Sequence, residues 1–310
     1  MPERCRLFVA VSWQGMLPQF KKNSIPLTMQ IRFHKMHGTL NDFVVFHDLE
    51  GNVTLSPEQV AKICDRRAGI GADGVIVVRR SVSADFFMDY INSDGSLAEM
   101  CGNGIRCLAK YVYDLGLTRQ RQLAIETRGG IKYLTLFPGA QGEVARVQVD
   151  MGPPIFDPEK IPVAITSPNL PIIDYALESD GYFFDATIVS MGNPHCVIFV
   201  QEDPSSFPQR FGPALERHPL FPARTNVEFA QVLGTDRIVM RVWERGSGET
   251  LSCGTGACAT VVAAVLKGLV QGLTTVEVAG GELEIEWIQP DSSVMMTGPS
   301  EIVYKGNITI

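Results

Sequence analysis

The chain has little of what most binding classes need. No apolar run is long enough to span a bilayer, and the one at 261–266 is broken by Lys267 and Gly268. No dense Lys/Arg stripe occurs, and 27 Lys and Arg against 34 Asp and Glu leave a net charge of −7. Nucleic acid and membranes are therefore not expected as partners. No Cys-x-x-Cys is present, which disfavours a thiol-exchange site. The seven cysteines are odd in number and irregularly spaced in a chain of 310 residues, which points to a reducing, cytoplasmic setting rather than a disulfide framework. "GIGADG" at 69–74 has the glycines of a phosphate loop but not the Lys-Ser/Thr that should follow, so it reads as a tight turn. Cys101/Cys107 and Cys253/Cys258 point well apart around a helix and chelate poorly. No metal and no cofactor is expected.

What the chain does have is one unusual word used twice. "EMCGNGIRC" and "LSCGTGACA" place Cys101 and Cys253 152 positions apart, each at the head of an apolar run. The same offset takes Asn41 to Asn193, Gly74 to Asn226, Met88 to Met240, Asn92 to Glu244 and Gly116-Leu117 to Gly268-Leu269. A period this long marks a duplicated domain, not a solenoid. The fold class that follows is α+β, with two related αβ domains. The first is expected over 29–149 and 300–310, the second over 150–299, with the closing "SEIVYKGNITI" crossing back to complete the first. Residues 1–28 read as a poorly ordered extension, and a chain beginning at Met29 is expected to stay fully active.

Short β-branched runs such as "DFVVFHD", "GVIVVRR", "DFFMDYIN", "LAIETR", "KYLTLFP" and "ARVQVDM" predict strands. Ser56-Pro57 predicts a helix start. Each Cys-Gly-x-Gly predicts another, ending near Gly116 or Gly268. The second of these, "ACATVVAAVLKGL", is apolar nearly all round and should be buried.

A helix start offers unpaired backbone N–H groups and a positive dipole end, which together bind a carboxylate. A thiol placed there is expected to have a lowered pKa. Two such thiols across one cleft suit inversion of a carbon: a thiolate removes a proton from one face and the opposed thiol returns one to the other. Cys5, Cys64, Cys107, Cys196 and Cys258 lack this context and read as small buried hydrophobes.

The words "MHGTLNDFVV", "RRAGIGADGVI", "INSDGSLAEMCGNGIRC", "GNPHCVIF", "TNVEFA" and "WERGSGETLSCGTGACA" resemble, in order and spacing, the diaminopimelate epimerases. The resemblance runs from about residue 29 to the C-terminus. It implies two pseudo-symmetric domains, each a curled, barrel-like sheet around a central helix, with the site between them. It also implies a pyridoxal-independent isomerase of lysine biosynthesis, converting LL-2,6-diaminopimelate to the meso form. Cys101 and Cys253 would be the acid/base pair, with His195 tuning the first and Glu244 the second. Gly102, Asn103, Gly254 and Thr255 would present backbone N–H groups to the reacting carboxylate. Asn41, Asn92, Asn193, Asn226, Glu244 and Arg245 would hold the amino and carboxylate groups of this small amino-acid substrate. A homodimer is left open. Two departures stand out. Gly74 replaces a glutamine that touches substrate in some members, and "HGTLND" replaces a more glycine-rich loop.

Three rival readings share some of these features. A proline-type racemase or another epimerase of the same fold would use the same two thiols. A non-catalytic amino-acid-binding protein would not need them. A thiol redox protein would turn over disulfides.

Overall fold

Strand pairing in the computed structural model, which describes residues 29–165, 169–288 and 292–310, follows one plan twice. The extension expected over 1–28, with Cys5, lies outside the described residues. The first run of elements is β1 (Gln30–Gly38), β2 (Asn41–His47), α1 (Pro57–Cys64), β3 (Gly74–Arg79), β4 (Phe86–Asn92), α2 (Gly102–Asp114), β5 (Gln122–Thr127), β6 (Gly130–Pro138) and β7 (Val144–Asp150). The second opens with β8 (Ile172–Ser179), β9 (Tyr182–Ser190), β10 (Pro194–Phe199), α3 (Phe207–Glu216), β11 (Asn226–Val232) and β12 (Arg237–Glu244). It continues with β13 (Gly248–Thr250), α4 (Gly254–Leu266), β14 (Leu273–Val278), β15 (Gly281–Glu286) and β16 (Met295–Pro299). β17 (Glu301–Thr309) closes the chain.

Neighbouring strands run β17-β1-β2-β3-β4-β5-β6-β7 in one half and β8-β9-β10-β11-β12-β14-β15-β16 in the other. Parallel pairs fall at the same two steps of each row, β2–β3 and β4–β5 against β10–β11 and β12–β14. The rows meet through the antiparallel pair β7–β16, with Val147 opposite Gly298. The sheet is thus curled and unclosed, in a mixed α+β fold. The place of β8 beside β9 is taken in the first row by β17 beside β1, so the chain's last strand supplies what the first half lacks at its own start.

Local chemistry accounts for the helices. Ser56 caps α1 with a full capping box, its hydroxyl accepting from Gln59 N–H while the Gln59 side chain accepts from Ser56 N–H, and Pro57 follows. α2 and α4 both end on a left-handed glycine, Gly116 (φ 72°) and Gly268 (φ 67°). There Leu117 N–H reaches Val112 O and Leu269 N–H reaches Ala264 O, the bond of a Schellman stop. α2 is buried from Gly102 through Val112, and α4 is buried over most of its length. One apolar core takes in both helices and the inner faces of both rows. α1 and α3 cover separate clusters, α1 with Val44, Val75 and Val77, and α3 with Ile188, Val227 and Phe229. Among the described residues no helix is long and apolar enough to cross a membrane.

The two Gly-Gly turns are not equivalent in packing. A Cβ on Gly280 would stand 2.0 Å from the Thr39 carbonyl oxygen, whereas one on Gly129 meets nothing nearer than 3.6 Å. Backbone cannot yield as a side-chain tip does. Gly280→Ala should therefore cost about 1–3 kcal/mol, and Gly129→Ala less than about 0.5 kcal/mol. Urea midpoints of the two variants check this; equal midpoints would contradict it.

Candidate active site

Each Cys-Gly-x-Gly is a helix start capped by its own thiol. Cys101 Sγ accepts from Gly104 N–H at 3.4 Å, and Cys253 Sγ accepts from Gly256 N–H at 3.4 Å. The thiols take the place that serine or aspartate fills at ordinary caps. The glycines have different tasks. Gly102 and Gly254 line the cavity with their backbone, and a Cβ on either would press on the same buried Met296 side chain beneath it, at 2.9 and 3.1 Å. Gly104 and Gly256 face inward, and a Cβ there would meet Ile76 at 2.8 Å or the Glu228 carboxylate at 2.7 Å.

Both caps open into one cavity of about 380 Å³. Asn41, Asn103, Asn193, Glu244, Arg245 and Thr255 line it with the two cysteines. A second cavity of about 680 Å³ adjoins it, sharing Asn41, Cys101, Glu244 and Ser252 and adding Asn92, Asp73 and Arg66. Asn226 lines neither cavity. It is buried behind them, donating to Pro194 O at 2.8 Å and accepting from Arg245 N–H at 2.9 Å, so it fixes the backbone that carries Arg245.

The environment of the thiols corrects one expectation. Their pKa values are raised, not lowered. Burial pushes the Cys101 thiol up to about 11, outweighing the backbone N–H groups of Gly104 and Asn103 that favour the thiolate. Cys253 is pushed well above its ordinary value by burial and by the carboxylates of Glu244 and Glu228. Desolvation of a charged sulfur is the larger effect here than one turn of helix dipole. Glu244 itself is held above the usual carboxylate range by burial, opposed by bonds from the Thr250 hydroxyl (2.5 Å) and the Cys253 thiol.

Asn41 ties Cys101 into the first half. The Cys101 thiol donates to Asn41 Oδ1 at 3.5 Å, Asn103 Nδ2 reaches the same oxygen at 3.3 Å, and Asn41 Nδ2 donates to Asp73 at 2.7 Å. His195 is connected on the other side. Its ring nitrogens meet Glu228 Oε1 (2.7 Å) and Asn193 Oδ1 (3.0 Å). Asn193 Nδ2 then reaches the Thr255 hydroxyl, which lies 3.5 Å from Cys253 Sγ. In this arrangement His195 connects towards Cys253, and no hydrogen bond joins it to Cys101. The Gly74 departure also has a physical form: the space of a Cβ at 74 is filled by the Tyr90 ring, with Cε2 at 2.6 Å.

Sequence reasoning passed over several groups that line or support the site. Ser252 and Thr39 meet hydroxyl to hydroxyl at 2.5 Å and connect the two halves behind the caps, with Asn103 Nδ2 reaching Ser252 O at 3.3 Å. Lys132 lines the first cavity and donates to Met151 O. Glu228 sits inside the quoted word "TNVEFA", and Ser252 immediately precedes Cys253. Both were within reach of the motif, but nothing in residue type alone separates them from structural neighbours.

Comparison with known proteins identifies the family. The family model described as "Diaminopimelate epimerase" matches residues 33–156 and 187–303. A diaminopimelate epimerase of Leptospira biflexa is 49% identical over 283 residues, covering 91% of this chain and 100% of its own length. One of Desulfitobacterium hafniense is 50% identical, covering 88% and 96%. Among solved structures, a Bacillus anthracis phenazine biosynthesis protein of the PhzF family superposes with TM-score 0.65 at 16% identity, covering 91% of this chain and all of its own. A hydroxyproline epimerase of Agrobacterium vitis, with bound trans-4-hydroxy-L-proline, gives 0.64 at 14%, covering 91% and 93%. At these identities the structural likeness is one of fold.

The raised thiols set a pH dependence. A group whose folded pKa lies above its ordinary value keeps its proton to higher pH, so thiolate at Cys101 accumulates only as pH climbs towards about 11. Alkylation of Cys101 by iodoacetamide at pH 8 should be about tenfold or more slower than that of an unstructured cysteine of pKa about 8.5. Peptide mapping of quenched samples measures it. A rate already at its plateau by pH 8 would show the thiolate to be stable in the empty cleft.

Proposed function

The chain belongs to the diaminopimelate epimerase family, and from that premise we propose that it inverts one α-carbon of LL-2,6-diaminopimelate, giving the meso form, by proton transfer between Cys101 and Cys253. The observation that carries the mechanism is the pair of thiols capping repeat-equivalent helices, α2 and α4, on one cavity. A substrate carboxylate in that cavity meets the first-turn N–H groups of both helices, at Gly102-Asn103 and Gly254-Thr255, which have no i−4 carbonyl to bond. These groups stabilise the charge that spreads onto the carboxylate as the α-proton leaves. One cysteine, as thiolate, removes that proton; the other delivers its own to the opposite face. Asn41 and Glu244 supply acceptors for the reacting ammonium. Arg245, Asn92 and Asn193 hold the distal amino-acid head, with Asn226 setting the Arg245 backbone. Two domains, 29–149 with 300–310 and 150–299, would close on the substrate and exclude water. We place the reaction in the cytoplasm as a step of lysine biosynthesis. A homodimer is the assembly to test, by mass in solution.

The proline-racemase reading is disfavoured by what the two cavities offer beyond the thiols, since Arg245 and Asn92 would have no task with a substrate lacking a second head.

Solvent-deuterium incorporation at the α-carbon of LL-diaminopimelate tests the reaction, and Cys101→Ala and Cys253→Ala test the pair. Either substitution should abolish epimerisation in a folded protein; near-normal turnover in one of them would remove the two-base mechanism. Arg245 is exposed in the empty cleft, and Arg245→Ala removes one charged partner of the distal carboxylate, a loss of roughly 1.5–3 kcal/mol. It should cut kcat/KM more than about tenfold, one decade per 1.4 kcal/mol. Proline and alanine should be poor substrates beside diaminopimelate, and equal rates would make the distal assignment wrong.

A further inference from the structure

The two thiols cap their helices alike, yet one turn further in the helices differ. Position 106 of α2 is arginine, and its counterpart 152 residues on is Cys258 of α4. The Arg106 side chain is wholly buried. Nε donates to Pro299 O (3.2 Å), Nη1 to Gly102 O (3.1 Å) and Nη2 to the Thr39 hydroxyl (3.5 Å), and Nη1 also touches Met296 Sδ at 3.8 Å. Every partner is neutral. Among the described residues no carboxylate pairs with Arg106, although buried Lys110, one turn on, pairs with Asp114. The slot is built for it: a Cβ on Gly38 would stand 2.9 Å from Nη2, and one on Gly298 would stand 3.0 Å from Nε. A guanidinium is rarely buried without an opposite charge.

We propose that Arg106 is the counter-charge for a thiolate at Cys101, a positioning residue that makes two otherwise equivalent cysteines unequal, so that negative charge in the pair falls to Cys101 and the proton stays on Cys253. This rests on the two-cysteine reading above. The Gly102 carbonyl that Arg106 bonds belongs to the same peptide unit as Asn103 N–H, which favours the Cys101 thiolate. Drawing on that carbonyl strengthens the N–H as a donor. Cys258 brings no charge to the first turn of α4. Cys253 faces the carboxylates of both Glu244 and Glu228, whereas at Cys101 the carboxylate of Glu244 is opposed by Arg106. The groups that act on Cys101 from the packed elements are Arg106, Glu244 of β12 and the Tyr90 phenol of β4, with Lys132 and Glu99 also lining the cavity. As pH rises the Cys101 proton leaves to solvent, and no other group changes charge in the step.

The test is the pH dependence of iodoacetamide alkylation, read separately at Cys101 and Cys253 by peptide mapping. It is made in the full-length protein and in Arg106→Met and Arg106→Lys, with kcat and KM alongside. In the unaltered protein Cys101 should react at lower pH than Cys253. Arg106→Met should slow Cys101 alkylation about tenfold at a fixed pH, a rise of one pH unit in its midpoint. It should leave the Cys253 midpoint in place and lower kcat more than it raises KM, while Arg106→Lys keeps most of the Cys101 reactivity. A folded Arg106→Met with an unmoved Cys101 midpoint would overturn the proposal. So would Cys253 reacting first in the unaltered protein, which decides the matter if Arg106→Met does not fold. Alkylation needs no turnover, so failure of the two-base mechanism in the alanine variants would leave this measurement standing on its own.

Discussion

Two helix N-termini, α2 and α4, converge on one small volume, and the rest of the molecule is arranged to permit it. The positive ends of two dipoles facing each other repel. The protein holds them together through apolar packing and neutral hydrogen bonds. Met296 lies under both first glycines, and Thr39, Ser252 and Asn103 form a hydroxyl and amide bridge behind them. Among the described residues the carboxyl groups that line the gap between the caps are those of Glu244 and Glu99, and Lys132 and Arg245 line it as well. In the proposed reaction the anion that comes to these two helix starts is the substrate carboxylate, a group that first-turn N–H donors bind.

Holding that bridge requires backbone that relaxed loops avoid. Thr39 and Leu40 sit at φ 50° and 63°, in the left-handed region, and Thr39 is β-branched. This is the loop in which the sequence departs from a more glycine-rich form. The same Thr39 presents its carbonyl to Gly280 and its hydroxyl to Ser252, so one strained residue joins the first half to the second at two points, and it also accepts from Arg106 within its own half. Strain of this kind persists only where the surroundings over-determine it, and here they do so directly behind the cysteines.

Much of this was legible in the residues. The 152-residue register located both caps, both buried helices and both glycine stops, because a duplicated unit repeats its hydrophobic period and its chain breaks together. The strand words read correctly because β-branched runs seldom mean anything else. Side-chain partnerships were less legible. His195 could be assigned to a thiol, but only the fold shows its ring nitrogens taken by Glu228 and Asn193 on the Cys253 side. The sign of the thiol shift was misread for a related reason. A cap position is local and visible in sequence, whereas desolvation depends on everything folded around it. Asn226 occupies the repeat position of Gly74 and was grouped with the substrate-binding asparagines, yet here it supports Arg245 from behind.

Duplication supplies two like groups, and the proposed inversion at one carbon needs them to act oppositely. If both halves had stayed the same, the thiols would share one pKa, and no preference would decide which bears the charge. The differences between the halves lie where they can set that preference. Asn92 in the first half corresponds to Glu244 in the second, placing a buried carboxylate beside Cys253. Arg106 corresponds to Cys258, placing a buried cation in the helix that Cys101 caps. Glu244 raises both thiols, Cys253 together with Glu228, and in the proposed pair Arg106 offsets it at Cys101 alone. The caps, the glycines and the strand order, which set geometry, stayed common to the two halves. The charges, which set direction in the mechanism proposed above, diverged.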